Sequence, residues 1–472
     1  MSTVALGSII PQLSFLDTII QDNTLARLFH DTLYPELQFR SEALPEKWEA
    51  QAGDQQTFTK PSLLTVDTDP LEPGQDPQPE NESFEQWKVK AAQYGKASDV
   101  NMPTSRTALD SLFMRKLKSL GLNAGQTMNR LPRNRLYCAY TGGHTVAETG
   151  GAPTTSFEVA SINGFTEQLN SDGQLAPVSA ANPKSFLING VSAGAVQIIA
   201  AQPLDGNFPL GRGTITLSGA GSTIVAGDAI VAADAASIVR SGGGLSVDSL
   251  STTDTLTLAD VRMTVAMLRR NRVPPHSDGY YHCHLDPIAE AQLFADPEFR
   301  QANEGNYAGA EYQNFAVGKV QGCVFYTNSE CPGVLNTGSQ QTSRPASATQ
   351  ARLGKEINAE TINSAGVQIL RTIVTGGGAI YEKYIDEAEY LSEAGTTGVV
   401  RVGGFSVVNN GIQIPTERIR LIIRAPQDRL QQQVSLAWSW SGDFGVPSDF
   451  LGGLGGSRFK RGGVIESGSN LT

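Results

Sequence analysis

The stretch of chain from Leu258 to Phe294 constrains the fold more than any other part of the sequence. Thr257 is a suitable N-cap for a helix over 258–270, and Pro274 and Pro275 would end that helix. A strand from Tyr280 to Leu285 and a helix from Ile288 to Phe294 are predicted to follow. The predicted buried stripe of the first helix consists of Leu258, Val261, Val265 and Leu268. The segment therefore predicts a helix–strand–helix core.

Composition sets broad limits on the class of protein. The 472 residues are enough for two to four domains, and 49 glycines and 24 prolines favour β-rich, loop-rich architecture. The net charge of −11 disfavours a protein that grips nucleic-acid phosphates. Four widely spaced cysteines predict reduced thiols in a cytoplasm rather than a disulfide framework. Neither a signal peptide nor a membrane-spanning segment is predicted.

The first hundred residues predict extended, poorly buried structure. Residues 1–34 predict an arm with a short helix from Ala26 to Leu33. Two runs, Gln55 to Val66 and Phe84 to Tyr94, predict the strands of a long hairpin joined by an acidic, proline-rich segment over 67–81. Because a lone hairpin buries little surface, it would need a neighbour to lie on.

The middle of the chain predicts a helix and then a β module. Apolar residues at helical spacing predict a helix over 104–120 that Gly121 ends, and a strand is predicted from Asn134 to Tyr140. Short apolar runs separated by glycines predict a compact all-β module over 165–255. Later strands are predicted at 319–326, 367–374, 398–402, 418–423 and 433–440, before a glycine-rich turn region at 452–463.

No set of residues predicts a catalytic, cofactor or metal site, so the chain is not predicted to be an enzyme. His282 and His284 would share one face of a strand, with Cys283 on the other, but two imidazoles alone do not complete a zinc site. A Cys323–Cys331 disulfide is disfavoured in a reducing compartment. Glycines at 219–221 and 376–378 lack the strand–helix context of nucleotide loops. The basic residues 458, 460 and 461 are too few to bind nucleic acid by charge.

In order, these elements resemble the major capsid proteins of tailed bacteriophages, which have the α+β HK97-type fold. The motifs that carry the resemblance are Arg-Asn-Arg-Val-Pro-Pro and Gly-Tyr-Tyr-His-Cys-His-Leu-Asp-Pro within 270–287, Arg-Leu-Ile-Ile-Arg-Ala-Pro from Arg420, and Phe-Lys-Arg-Gly-Gly-Val-Ile-Glu from Phe459. The resemblance implies an N-terminal arm (1–34), an extended E-loop (35–100), a spine helix with the start of the P domain (101–164), an inserted all-β domain (165–255), an A domain (256–417) and C-terminal P-domain strands (418–472).

The resemblance also implies function and partners. It implies a shell protein that self-assembles into pentamers and hexamers of an icosahedral virion capsid, assembled in the host cytoplasm and enclosing DNA without sequence-specific binding. Scaffolding, portal and decoration proteins are further partners that it allows, and no membrane or cofactor is implied. Two alternatives remain open at this stage. One is an encapsulin-like nanocompartment shell, and the other is a β-rich hydrolase or adhesin that would depend on His282 and His284.

Overall fold

The structure is a computed structural model. It describes residues 24–33, 38–49, 53–61, 74, 76, 84–107, 112–170, 175–204, 210–303, 319–320, 322–332, 361–385, 400–402, 405–408, 411–416, 418–424, 429–430, 432–447 and 461–469. The helices within these ranges are α1 (Thr24–Leu33), α2 (Met102–Thr107), α3 (Leu112–Thr141), α4 (Leu258–Arg270), α5 (Pro287–Ala295) and α6 (Pro297–Asn303). None of these helices has the length and apolar character needed to span a membrane.

The strands fall into three stretches of chain. Before and within the β module they are β1 (Ala43–Lys47), β2 (Gln55–Pro61), β3 (Phe84–Lys90), β4 (Ala92–Asn101), β5 (His144–Val146), β6 (Gly151–Thr154), β7 (Ser156–Val159), β8 (Glu167–Leu169), β9 (Leu175–Pro177), β10 (Phe186–Ile188), β11 (Val191–Ser192), β12 (Ile198–Pro203), β13 (Gly213–Leu217), β14 (Ser222–Ile224) and β15 (Ala229–Ala232). Next come β16 (Ile238–Arg240), β17 (Tyr281–Leu285), β18 (Lys319–Val320), β19 (Cys323–Thr327) and β20 (Gln368–Thr375). The remainder are β21 (Ile380–Tyr384), β22 (Val400–Val402), β23 (Phe405–Val408), β24 (Gly411–Thr416), β25 (Ile419–Arg424), β26 (Gln433–Gly445) and β27 (Gly462–Ser469).

The chain divides into two compact units, each made of three separate stretches of sequence. The first unit comprises Met1–Gln56, Lys88–Arg133 and Ile380–Gly445, and the second comprises Thr57–Trp87, Asn134–Ala379 and Val446–Thr472. The mixture of helices and sheets agrees with the predicted α+β class.

The first unit contains an eight-stranded sheet. Its strands follow the order β1-β21-β26-β25-β24-β23-β22, and β4 also pairs with β26. The pairing of β1 with β21 is parallel, and the other pairings are antiparallel. Ile419, Leu421 and Ile423 alternate with less buried residues along β25, which is the period-two pattern of a strand with one face in a core.

The long helix α3 corrects two predictions made from the sequence. The helix does not stop at Gly121, where a Cβ atom would lie 3.0 Å from the Phe29 carbonyl oxygen. The glycine instead allows α1 to approach α3 closely. The predicted strand from Asn134 to Tyr140 is also wrong. The helix continues past Pro132 as far as Thr141 and so includes these residues. Leu136, Tyr137 and Tyr140 are buried at helical spacing, which the short strand pattern had disguised.

The second unit contains a six-stranded sheet in the order β16-β27-β20-β17-β19-β18. Helices α4, α5 and α6 contribute to its core together with the sheet, through residues such as Val265, Leu293 and Phe299. The predicted helix–strand–helix core is confirmed with small shifts at its ends. Thr257 caps α4 in a capping box with Asp260, in which each side chain accepts a hydrogen bond from the backbone N–H of the other residue.

The β module of the second unit has limits that differ from the predicted 165–255. Its sheets run in the orders β11-β10-β15-β5, β12-β13-β7 and β14-β6, so its strands begin at His144 and end at Ala232. Residues of β7 and β15 share one apolar core with those of β10, β12 and β13, among them Phe157, Phe186, Ile198, Ile215 and Ile230. The prediction missed β5, β6 and β7, which lie before residue 165. Their apolar residues occur in very short runs, ahead of the change in composition that was used to place the start of the module.

Two other predicted ranges differ from the strand pairing. Strands β21 to β24, within the predicted A domain of 256–417, pair in the sheet of the first unit. Strand β27, within the predicted P-domain range of 418–472, pairs antiparallel with β20 and parallel with β16 in the second unit. Each unit is therefore built from several separate stretches of chain, whereas the prediction assigned one continuous range to each domain.

Candidate functional site

The histidine-bearing strand β17 lies inside the six-stranded sheet. It pairs antiparallel with β20 and parallel with β19. The rings of His282 and His284 both contact Tyr326, with centroid distances of 5.1 and 5.5 Å, whereas Cys283 belongs to the apolar core. The predicted alternation of faces is confirmed.

The His282 ring has polar and aromatic partners. It stacks on His276 at a centroid distance of 3.9 Å, and its Nε2 lies 3.1 Å from Asp278 Oδ2. Desolvation raises the pKa of Asp278, but the Tyr280 amide and His282 lower it by more, so that the pKa lies below its usual value. Asp278 is thus an anion that orients His282.

The buried cysteines are shielded thiols. None of the four cysteines, all of which lie in described segments, forms a disulfide. Burial raises the pKa of Cys283 well above its usual value, and the neighbouring Cys323 and Cys331 raise it further. Burial raises the pKa of Cys323 to about 12, although Arg269 opposes the shift. Since thiolates are the nucleophilic and metal-binding form, these thiols suit packing better than chemistry.

The remaining motifs singled out in the sequence have local structural roles. Gly376 and Gly377 form the turn after β20, where added Cβ atoms would lie 2.5 Å from Val273 Cγ1 and 2.6 Å from the Pro275 carbonyl oxygen. Gly219 lies between β13 and β14. Arg461 donates to the Gly377 carbonyl at 2.9 Å. Arg458 and Lys460, together with most of the acidic segment 67–81, lie outside the described residues.

The predicted hairpin is present in part as β2 and β3, which form a separate two-stranded sheet among the described residues. Residues 92–94 of its predicted second strand belong instead to β4, and residues 62–66 lie outside the described residues. The described side chains of β2 are exposed or half-buried, as are Trp87, Lys88 and Lys90 in β3, whereas Val89 is buried. Phe58 and Trp87 stack across the two strands, with centroids 5.3 Å apart and planes at 8°. This aromatic pair joins the two strands, and most of the described side chains of the hairpin remain exposed or half-buried.

Two buried Arg–Glu–Arg networks were not visible in the sequence. In the first unit, Arg40 binds Glu382 with two nitrogens, at 2.6 and 3.2 Å, and Arg418 binds the same carboxylate at 3.1 Å. Arg40 precedes β1 and Glu382 lies in β21, so this network connects the chain before the hairpin to the sheet. Arg40 and Glu382 are 342 residues apart in sequence, and no local pattern signals their contact.

In the second unit, Glu466 accepts hydrogen bonds from Arg240 Nε at 2.9 Å and from Arg371 Nε at 3.0 Å. Burial raises the pKa of Glu466, but Arg240 and Arg371 together with His144 lower it by more, so that the pKa lies below its usual value. The three side chains belong to β16, β20 and β27, which are neighbours in the six-stranded sheet. The network therefore holds three distant segments of the chain together.

Comparisons with known proteins found similar solved structures but no similar sequences. No protein-family model matches the chain, and no curated protein matches it. The solved structures to which it is similar include the capsid asymmetric unit of Cyanophage Pam1, at 11% identity and a TM-score of 0.47, covering 93% of each chain. The capsid of Ralstonia phage GP4 is similar at 13% identity and a TM-score of 0.42, covering 91% of this chain and 88% of that one. The capsid of Helicobacter pylori bacteriophage KHP30 is similar at 12% identity and 0.42, covering 91% of each chain.

Proposed function

We propose that this chain is the major capsid protein of a tailed bacteriophage, which assembles into the pentamers and hexamers of an icosahedral shell around the phage genome. The observation that carries the proposal is the two-stranded hairpin of β2 and β3, in which the described side chains other than Val89 are exposed or half-buried. An isolated hairpin is marginally stable in water, and ordering the chain costs roughly 1–2 kcal/mol per residue in backbone entropy. One stacked aromatic pair offsets little of that cost. A second copy that covers the hairpin supplies the missing burial.

The other elements take roles that suit a shell subunit. Residues 1–34 serve as the arm, the β2–β3 hairpin as the E-loop and α3 as the spine helix. The eight-stranded sheet forms the P domain, the six-stranded sheet belongs to the A domain, and the β module is the inserted domain. The buried ion networks stabilise the two sheets while the arm and the hairpin bind neighbouring subunits. The net charge of −11 suits a wall that encloses DNA without adhering to it.

The proposal also covers partners and location. The primary partner is a second copy of this chain, and scaffolding, portal and decoration proteins are the further partners of such a shell. The subunits assemble in the host cytoplasm and end in the virion. The role is structural, with no enzymatic step.

Hydrogen exchange compares the hairpin before and after assembly. The purified full-length chain is expected to form closed shells in negative-stain electron micrographs. Amides of 55–61 and 84–90 should exchange quickly in dissociated subunits and slowly in shells. The wholly buried strand β20 is the internal control and should be protected in both states. A hairpin that is equally protected in a dilute monomer contradicts the proposal, as does a failure to form particles under any scaffolding condition.

Particle contents separate this proposal from the nanocompartment alternative. Shells recovered from infected cells should contain phage DNA, whereas an encapsulin-like shell would contain a cargo enzyme and no genome. That alternative gains no support from the solved structures named above, all of which are phage capsids.

A further inference from the structure

Positive charge is concentrated in one part of the first unit, although the chain as a whole is acidic. The stretch Lys88–Arg133 of that unit contains nine lysines and arginines and two acidic residues, Asp99 and Asp110. Its net charge is therefore +7, whereas the whole chain carries −11. The stretch includes β4 and most of α3, so the excess of positive charge lies on one strand and one helix.

Four of these basic residues form one exposed surface, the basic face, which consists of Lys96 in β4 and of Arg115, Lys116 and Lys118 in α3. Lys116 Nζ donates to Ser98 Oγ and to the Asp99 carbonyl oxygen, both at 3.1 Å, so this part of α3 lies beside β4. Side chains alternate along a strand, and Lys96 therefore leaves β4 on the same side as Ser98. Arg115 and Lys118 are three residues apart and are neighbours on the helix surface.

Three of the four positive charges have no carboxylate partner among the described residues. Both acceptors of Lys116 are neutral oxygen atoms. Lys96 and Lys118 form no hydrogen bond or ion pair with any residue that the structure describes. The acidic residue of β4, Asp99, follows Ser98 directly, so its side chain leaves the strand on the opposite side. The basic face thus presents positive charge to the solvent.

We propose that the basic face contacts the phosphate backbone of the enclosed DNA and therefore faces the interior of the shell, an inference that rests on the proposed function. Lysine and arginine are common donors to phosphate oxygens, whereas lysine is depleted in protein–protein interfaces. Contacts to phosphate carry no sequence information, which suits a shell that encloses any part of a genome. Because the whole chain has a net charge of −11, each subunit contacts the DNA at this face without holding it tightly.

Fluorescence anisotropy of a short labelled DNA duplex, titrated with the dissociated full-length subunit, measures the binding and its salt dependence. If three phosphates are contacted, the affinity should fall about 40-fold between about 50 and 200 mM salt. Formaldehyde treatment of DNA-filled shells gives a second measurement. Mass spectrometry should find DNA cross-links at Lys96, Lys116 or Lys118.

Two double variants locate the binding. Lys96→Gln combined with Lys118→Gln removes two charges from the basic face, and the affinity of this variant should fall only about 3-fold over the same salt range. Arg270→Gln combined with Arg272→Gln is the matched control, because it removes two exposed arginines from the second unit. The control should keep the affinity and the salt dependence of the wild type. All four side chains are exposed, so both variants should fold and form shells.

Several results would overturn the inference. These are a wild-type subunit that does not bind the duplex at low salt, an equal loss of binding in the two double variants, and cross-links confined to other parts of the chain. Binding of a synthetic peptide of residues 67–82 in place of DNA would assign the basic face to the acidic segment of a neighbouring copy. None of these results contradicts the capsid proposal, which shell formation tests separately.

Discussion

Replacing Glu466 by glutamine tests whether the buried network stabilises the second unit. The change keeps the shape of the side chain but removes the negative charge that lies 2.9 Å from Arg240 Nε and 3.0 Å from Arg371 Nε. Two buried guanidinium groups would then lose the carboxylate that they share. Removing one partner of a buried ion pair costs about 3–5 kcal/mol. We expect a loss of that size in the free energy of unfolding.

Urea denaturation measures the loss, and Glu298→Gln is the matched control. Glu298 pairs with Arg262 on the surface, where the two side chains are 45% and 49% exposed. An exposed pair contributes less than about 1 kcal/mol, so the control should shift the urea midpoint little. Equal losses in the two variants would refute the reasoning, because they would mean that burial does not set the contribution of the network.

The same variant has a defined pH dependence. The folded-state pKa of Glu466 lies below its ordinary value of 4.5, so the carboxylate contributes stability in full above the ordinary pKa. That contribution is lost as the pH falls through the folded-state pKa. The difference in unfolding free energy between wild type and Glu466→Gln should therefore be constant near neutral pH and shrink in acid. A difference that grows in acid contradicts the assigned direction.

Three further predictions follow from the packing. Gly121→Val should destabilise the first unit by about 1–3 kcal/mol in urea, because it crowds α1, whereas Gly219→Ala, with open space around the added atom, should have little effect. Thr257→Ala should lower the unfolding free energy of the second unit by about 1 kcal/mol through loss of the capping box, and restoring the hydroxyl with serine should recover most of it. Cys283 and Cys323 should react with a thiol reagent at neutral pH only after unfolding, since burial keeps both thiols protonated; fast reaction in the native protein would contradict their shielding.

Periodicity predicted the elements whose residues pack locally. The α4–β17–α5 segment has an N-cap, an apolar stripe and a proline stop within a few residues of each other, so its sequence carries its own boundaries. Gly121 misled the prediction because a glycine that ends a helix and a glycine that admits a neighbouring helix look the same in sequence. Pairings between distant segments were hidden for a different reason. Nothing near Gly462 indicates that β27 lies between β16 and β20.

In the candidate site, too, only the local features could be predicted from the sequence. The alternation of His282, Cys283 and His284 follows from strand geometry and was predictable. The contacts of Glu466 with Arg240 and Arg371 join residues 226 and 95 positions apart. A single sequence contains many arginines and glutamates and no signal that selects these three.

The position of β27 between β16 and β20 determines when the six-stranded sheet can be completed during synthesis. Both neighbours of this strand, β16 and β20, lack their shared partner until residues 462–469 leave the ribosome. At typical synthesis rates of about 5–20 residues per second, the sheet stays open for many seconds after its first strands emerge. The six-stranded sheet of a nascent chain is thus incomplete until this strand has been synthesised. Any contact between subunits that depends on this sheet must therefore follow the synthesis of β27.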